Sequence, residues 1–410
     1  MGTPNRNRDA LYRLWNQPGP QERNTVLLLT GNPVKPRTVV YLTPSSRLLG
    51  ARRSLLQLVT NLDPARYRPV VVTQSDGGLV EALREAGVET HILFLGWWRK
   101  GRYMLMRPLR IAQLARLLRS EGAALVHCNE HFPCPYAVRA AHKAGDLPVV
   151  THMRLSIDPR SIRNYDLARS TRVLCVSHAA ARDFHVWPDW RERVEVVYNG
   201  VDLSGFRPRL SRQEAREQLG WGDPEHFIVG LFGLLSPRKR QHLLLRAAAR
   251  LRDRYPGLRL LIVGSGGRSD GPYEQQLHEI VKQGQLEDRV RFIPFQNDIL
   301  DLYQACDLNA LISNDEGFGR TIIEAGALGV PSVGTRIGGI PELIVDGETG
   351  SLIGGGEDDG EALATCLAGW MEDRTQVERL GQAAKQRVET EFTIEKHTDR
   401  IMTIYDRILG

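Results

Sequence analysis

The chain is 410 residues long, 42% hydrophobic and 25% charged, which fits a globular protein of two or three domains. That composition excludes a mostly disordered chain, a collagen-like one and a small disulfide scaffold, and no apolar run reaches the ~18 residues of a membrane span. The net charge of +6 conceals a division: residues 1–200 hold 29 Lys and Arg against 16 Asp and Glu, and the rest hold 25 against 32. A basic first half is therefore expected to meet something anionic, such as a membrane surface, lipid phosphate or nucleic acid.

Residues 1–36 are polar, carry Pro18, Pro20, Pro33 and Pro36, and read as a loosely ordered extension. Their one apolar run, 26–29, is too short for a secretory signal. Short β-branched runs at 39–42, 70–73, 91–95, 124–126, 149–151, 173–176 and 194–197 then alternate with helical patterns such as 51–61, 79–86 and 136–144. This alternation predicts a parallel sheet covered on both faces. The pattern restarts after a Gly- and Pro-bearing stretch at 199–208, with strands at 227–232, 258–263, 290–293, 308–312 and 331–334. Helices are predicted between them at 241–254, 273–283 and 319–328. Two α/β domains are expected, at 37–203 and 204–390, and a last helix, 391–410, is expected to cross back to the first. Five scattered cysteines (128, 134, 175, 306 and 366) show no repeated C-x-x-C spacing and read as reduced, mostly buried thiols of a cytosolic protein.

The segment 313–350 carries most of the chemistry. A strand runs into the turn Glu316-Gly317-Phe318-Gly319, and a helix starts near Arg320. Small residues let a backbone approach a ligand closely, and free N–H groups at a helix start suit a phosphate. Glu316 lies in the turn and Glu324 lies in the helix, so one carboxylate can face a ligand while the other meets vicinal hydroxyls. A glutamate near a helix start also has a plainer explanation, because the dipole favours it there.

This segment resembles the nucleotide-sugar motif of the retaining GT-B glycosyltransferases of family four. Val197-Tyr198-Asn199-Gly200-Val201-Asp202, Leu261-Ile262-Val263-Gly264-Ser265-Gly266, Val290-Arg291-Phe292-Ile293 and Gly338-Gly339-Ile340-Pro341-Glu342 match in the same order. The resemblance implies two Rossmann-like doubly wound domains facing across a cleft, with the donor on the second and the acceptor on the first. It implies that Glu316 serves the donor sugar and Glu324 the ribose. Gly317, Phe318 and Gly319 would offer backbone N–H groups to the sugar and diphosphate, helped by Arg320 and Thr321. Backbone near Phe292 and Ile293 would meet the base, and Gly264 would line the donor cleft. A bare G-x-G after a strand is a weak dinucleotide fingerprint, and no acidic residue closes a second strand in the Rossmann manner, which disfavours an oxidoreductase.

Two positions depart from the family pattern. After Gly233, relatives carry Arg and, five residues later, Lys, both on the diphosphate. This chain has Leu234 and Lys239. Arg238 or Arg240 could supply the missing charge, since a guanidinium suits bidentate phosphate contact. On the acceptor side, Gly50 remains of a Gly pair, and Arg52 or Arg53 replaces an acidic residue, which fits an anionic acceptor. His152 corresponds to the histidine that relatives place near the reacting carbon, and His127 is expected at a strand end lining the cleft. His127, Cys128, Glu130, His131 and Cys134 lie close in sequence, but no second Cys/His pair completes a tetrahedral set, so no metal is expected. Trp97-Trp98-Arg99-Lys100-Gly101-Arg102-Tyr103 leads into a helical pattern with Ile111, Leu114, Ala115 and Leu118 on one face. Such a segment suits an anionic interface, or equally a helix packed on the sheet with a solvated basic face.

The expected activity is retaining, metal-independent hexosyl transfer from a nucleotide-diphosphate sugar, uridine favoured and guanosine next, to a glycan, glycolipid or other anionic acceptor. Front-face transfer is implied, with the leaving phosphate assisting. No cofactor is expected, and no nucleic-acid partner, for want of an aromatic-basic recognition module. The expected location is cytoplasmic, at the periphery of a membrane. The competing reading is a non-catalytic sugar-nucleotide-binding protein with an incomplete phosphate clamp.

Overall fold

The computed structural model describes residues 35–48, 50–266, 271–356 and 359–410. The extension expected over 1–36 lies, but for its last two residues, outside them. The first sheet has seven strands: β1 (Arg37–Leu42), β2 (Tyr67–Thr73), β3 (Glu89–Ile92), β4 (Ala123–Cys128), β5 (Val149–Met153), β6 (Arg172–Cys175) and β7 (Val194–Val196). Their order is β3-β2-β1-β4-β5-β6-β7. The second has six: β8 (Phe227–Phe232), β9 (Leu258–Val263), β10 (Val290–Ile293), β11 (Leu308–Leu311), β12 (Ser332–Thr335) and β13 (Gly350–Ile353), in the order β10-β9-β8-β11-β12-β13. All neighbouring strands pair in parallel.

Both sheets are doubly wound, and the order reverses beside β1 and beside β8. Strand ends diverge at these points and leave a crevice at the carboxyl edge. Covering both faces explains the sequences: β8 reads FIVGLF, and all six residues are buried. The strand expected over 91–95 ends at Ile92, and beyond it the Gly96 backbone N–H donates to the Gln74 side chain.

Helix α1 (Gly50–Thr60) follows β1, and α2 (Arg107–Ser120) precedes β4. The inner face of α2 (Ile111, Leu114, Ala115 and Leu118) is buried in the core shared with β1, β2 and β4. A short helix, α3 (His178–Arg182), follows β6, and α4 (Arg320–Ala327) lies between β11 and β12. The last helix, α5 (Ile394–Leu409), lies on the first sheet and buries Ile401, Met402, Ile404 and Tyr405 against Val39, Tyr41 and Tyr67. Each such side chain contributes roughly 1.5–3 kcal/mol on burial. The chain enters α5 past Gly200, where a Cβ would sit 2.4 Å from the Thr393 carbonyl oxygen. Among the described residues no helix is long and apolar enough to cross a membrane.

Candidate active site

A cleft of about 360 Å³ opens between the carboxyl ends of the two sheets. On the second-sheet side, β8 and β9 end in Gly233 (φ 147°) and Gly264 (φ 151°), and a Cβ on Gly264 would lie 1.8 Å from the Gly233 carbonyl oxygen. The two loops therefore touch, which is possible only without a side chain. β11 leads to Ser313 and the turn 316–319, and Gly319 (φ 108°) begins α4.

Lys239 and Glu316 meet in the cleft, with Nζ 2.5 Å from Oε2 and both side chains about 12% exposed. Ser313 Oγ also donates to Oε2, at 3.3 Å. Arg238, alongside, donates from Nη1 to the Asp315 carbonyl (2.7 Å), and its own carbonyl accepts from the Asn314 N–H (3.0 Å). Further into the cleft, Glu324 accepts from the Tyr303 hydroxyl at 3.1 Å and from Arg320 at 3.0 Å. Arg320 also reaches across to α1, donating to Ser54 Oγ (2.8 Å) and Gln57 Oε1 (3.1 Å). Arg53 reaches the other way, to the Asn297 carbonyl at 2.6 Å, with its guanidinium 5.8 Å from the Phe295 ring centre. Thr321 lines the cleft with a buried, unpartnered hydroxyl.

The first-sheet wall is cationic. Gly50, Arg52 and Arg53 at the start of α1 line it, with Glu130 beyond β4 and Arg154 beyond β5. Arg52 pairs with Glu130 at 2.9 Å. Arg154 donates to Asn129 Oδ1 (2.6 Å) and Asn199 Oδ1 (2.7 Å). Enclosure of its guanidinium pushes Arg154 down to about 9, against the pull of Glu130. Burial raises Glu130 above the ordinary carboxylate range, opposed by Arg52 and Arg154. Sequence reasoning assigned no role to Arg154, Glu130 or Tyr303. For the first two, a signal existed: each is a charged residue one or two places beyond an apolar strand, at the edge where doubly wound sheets bind ligands.

Several sequence expectations are corrected. His152 and His127 are fully buried and line no part of the cleft. They lie within β5 and β4, not beyond them, and stack toward α5, where His127 Nδ1 meets the Tyr405 hydroxyl at 2.5 Å. His152 lies between His127 and His397, with ring centres 5.6 and 6.2 Å away. Arg240 is also turned away. Its positive φ of 56° sends the side chain to Asp359 (2.6 Å) and the Gly356 carbonyl (2.6 Å), so it brings no charge to the cleft. Phe292 and Ile293 do not line the cleft; Phe295 and Gln296, just beyond them, do. At Gly317, a Cβ would lie 2.1 Å from the Arg154 carbonyl oxygen. Its absence lets the turn press against the end of β5. Phe318 and Gly319 line the cleft, and the Phe318 ring packs 5.9 Å from that of Tyr198. Glu342 fastens the same side, accepting from the His178 and Ala179 N–H groups at the start of α3, both at 2.8 Å.

Residues 211–387 match the family model described as glycosyl transferases group 1, and residues 49–204 match that of glycosyltransferase family 4. The chain belongs to this glycosyltransferase family. Among relatives, the D-inositol 3-phosphate glycosyltransferase of Mycobacterium marinum is 34% identical over 222 residues, 53% of this chain and 46% of that one. The N-acetyl-alpha-D-glucosaminyl L-malate synthase of Bacillus anthracis is 28% identical over 73% of this chain and 78% of its own. The chain thus spans about half the length of the mycobacterial relative it matches. Anabaena HepE, crystallised with UDP and glucose, superposes with a TM-score of 0.79 at 26% identity, over 90% of this chain and 99% of that one. The group 1 match takes in β8 to β13 with Lys239, Glu316 and Glu324, and the family-four match takes in the opposite wall with Arg52, Glu130 and Arg154.

Proposed function

We propose that this glycosyltransferase is a retaining, metal-independent hexosyltransferase that takes its sugar from a UDP-sugar, with GDP-sugars the next choice. The observation that carries the reading is the Lys239–Glu316 pair in the cleft, with Glu324 behind it at α4 and a cationic wall opposite. HepE, similar over nearly its whole length, has been crystallised with UDP-glucose as well as with UDP, which supports uridine as the base. The acceptor is a glycan, glycolipid or other anionic hydroxyl compound meeting Arg52, Arg53 and Arg154, and the enzyme works in the cytoplasm at the periphery of a membrane.

The chemistry follows from charge. A diphosphate leaving group carries two or more negative charges, and Lys239 brings one positive charge that Glu316 already engages. Donor binding exchanges that partner for phosphate and frees the Glu316 carboxylate for sugar hydroxyls. N–H groups at the start of α4 add partial positive charge. Double displacement needs a nucleophilic carboxylate about 5 Å from an acid–base partner. Glu130 is held by Arg52 and the freed Glu316 is taken up by sugar hydroxyls, which favours front-face transfer, with the departing phosphate oxygen taking the acceptor proton. Positioning and electrostatic stabilisation then supply most of the rate.

Leu234, 44% exposed at the cleft, leaves the phosphate clamp one charge short. With Arg240 committed to Asp359, Arg238 is the cation on that loop able to replace it. Arg238→Ala should lower turnover by ~10²–10³, the range for one lost electrostatic stabiliser, and Leu234→Arg in that background should restore part of it. Turnover unchanged in Arg238→Ala would remove the compensation argument and leave Leu234 unexplained. UDP binding with no transfer by the wild-type protein would support the second reading, a sugar-nucleotide-binding protein without transfer, which Leu234 favours.

The division of labour between the two glutamates is tested by binding. Glu324→Ala should weaken UDP by about 1–3 kcal/mol, the scale of a lost charge-assisted hydrogen bond, while Glu316→Ala leaves UDP affinity nearly intact and abolishes transfer. Calorimetry with bare UDP separates them, and equal losses in both variants would defeat the assignment. A thermal-shift panel of UDP, GDP and their sugars identifies the donor, because a ligand that binds only the folded state raises its apparent stability.

A further inference from the structure

The segment between β3 and α2 does not end as a simple packed helix. Where sequence periodicity ran a helix back toward residue 104, the structure has a 3₁₀ turn, Gly101–Met106, with no buried residue. Leu105 is 93% exposed, and Met104, Leu109, Ile92, Phe94, Met106 and Trp97 are exposed with it. Seven of the eleven large hydrophobic side chains exposed among the described residues therefore fall within 92–109. Soluble surfaces scatter such residues singly, and a cluster marks a contact.

Charge identifies the contact. Residues 90–120 contain no Asp or Glu and seven basic residues, Arg99, Lys100, Arg102, Arg107, Arg110, Arg116 and Arg119. No ion pair among the described residues neutralises any of them. The segment is anchored from beneath by Trp98, whose ring lies 4.2 Å from the Arg107 guanidinium and 4.6 Å from that of Arg139. A second copy of this chain docked here would bring like charges together. A single-stranded nucleic acid would meet Met104, Leu105 and Met106 at the most exposed part of the face, side chains with no ring for a base to stack on.

We propose that this face, the 3₁₀ turn and the start of α2, docks on an anionic lipid surface, with Leu105 and its neighbours in the acyl boundary and the basic side chains at the headgroups. It deepens the proposed membrane-peripheral location and does not depend on the transfer chemistry. The same segment borders a cavity of about 300 Å³, lined by Gln74, Trp97, Trp98, Phe132 and Tyr165. Phe132 lies two residues from Glu130 of the main cleft.

Co-sedimentation of the full chain with vesicles, with no donor present, tests this. Partition should be stronger onto phosphatidylcholine with 30% phosphatidylglycerol than onto phosphatidylcholine alone, and it should fall with added salt. Leu105→Asp should lower it tenfold or more, and Lys100→Ala with Arg102→Ala by about fivefold per charge lost. Melting temperature and circular dichroism should be unchanged, since none of the three side chains is buried. Equal partition onto both vesicles, or wild-type partition by Leu105→Asp, overturns the proposal. So does a dimer in sedimentation velocity that Leu105→Asp dissolves while vesicle binding persists. Failure here with UDP binding intact would leave the transferase reading standing, and the converse result would leave the docking face standing.

Discussion

Lys239→Ala is expected to lower turnover by ~10²–10³, the loss seen when one preorganised stabiliser of developing charge is removed. It should also weaken the fold, because Lys239 and Glu316 form a nearly buried pair. Removing one partner leaves a carboxylate in a poorly solvated site with only Ser313 Oγ beside it, at a cost on the order of 3 kcal/mol. The two effects separate in the double variant. Lys239→Ala with Glu316→Ala removes the stranded charge, so urea stability should return toward wild type while turnover stays lost. Persistent instability in the double variant would mean that Lys239 acts through packing and not through its charge.

Acid should unfold this protein steeply below about pH 6.5. His127, His152 and His397 cluster behind the cleft, all buried. Burial, and then the charge of Arg154, hold His127 and His152 well below the ordinary histidine range, and His397 is brought down to about 3. In the unfolded chain all three take up protons near pH 6.5. Below that value the unfolded state binds more protons than the folded one, so stability is complete above about 6.5 and drains away as pH falls toward the folded values. Each histidine costs about 1.4 kcal/mol per pH unit, so the cluster costs about 4 kcal/mol at pH 5.5, a large part of an ordinary 5–15 kcal/mol. Neither His152 ring nitrogen has a hydrogen-bond partner within the protein, so His152→Leu gives up no such bond. The slope of urea stability against pH between 6.5 and 5 should fall by about one proton in that variant. An unchanged slope would show that His152 is protonated in the native state.

The sheets were legible because strands covered on both faces read as unbroken apolar runs, β8 being the clearest. The edge strand β13 was not, since GSLI is short and half-exposed. The turn at 316–319 was legible from its glycines, but what each glycine does was not. Gly319 serves the cleft, whereas Gly317 leaves room for the Arg154 backbone, 163 positions earlier in the chain, whose carbonyl oxygen a Cβ would meet at 2.1 Å. Arg238 and Arg240 look interchangeable in sequence, and one positive φ sends them to different sites. His152 and Arg154 are two residues apart, yet the first is inside the sheet and the second beyond its edge. Long-range contacts and strand ends decided these cases, and neither is written in local spacing.

If this cleft transfers sugar from a UDP-sugar with retention, the first product carries the anomeric configuration of the donor. Proton NMR of the wild-type protein with an α-linked UDP-sugar, chosen from the thermal-shift panel and with water as the acceptor of last resort, resolves the sugar released before mutarotation. The α anomer should appear first, together with UDP, and both signals should vanish in Lys239→Ala. Release of the β anomer first, or no UDP binding and no UDP release from any donor of the panel, would rule out retaining transfer from a UDP-sugar in this cleft.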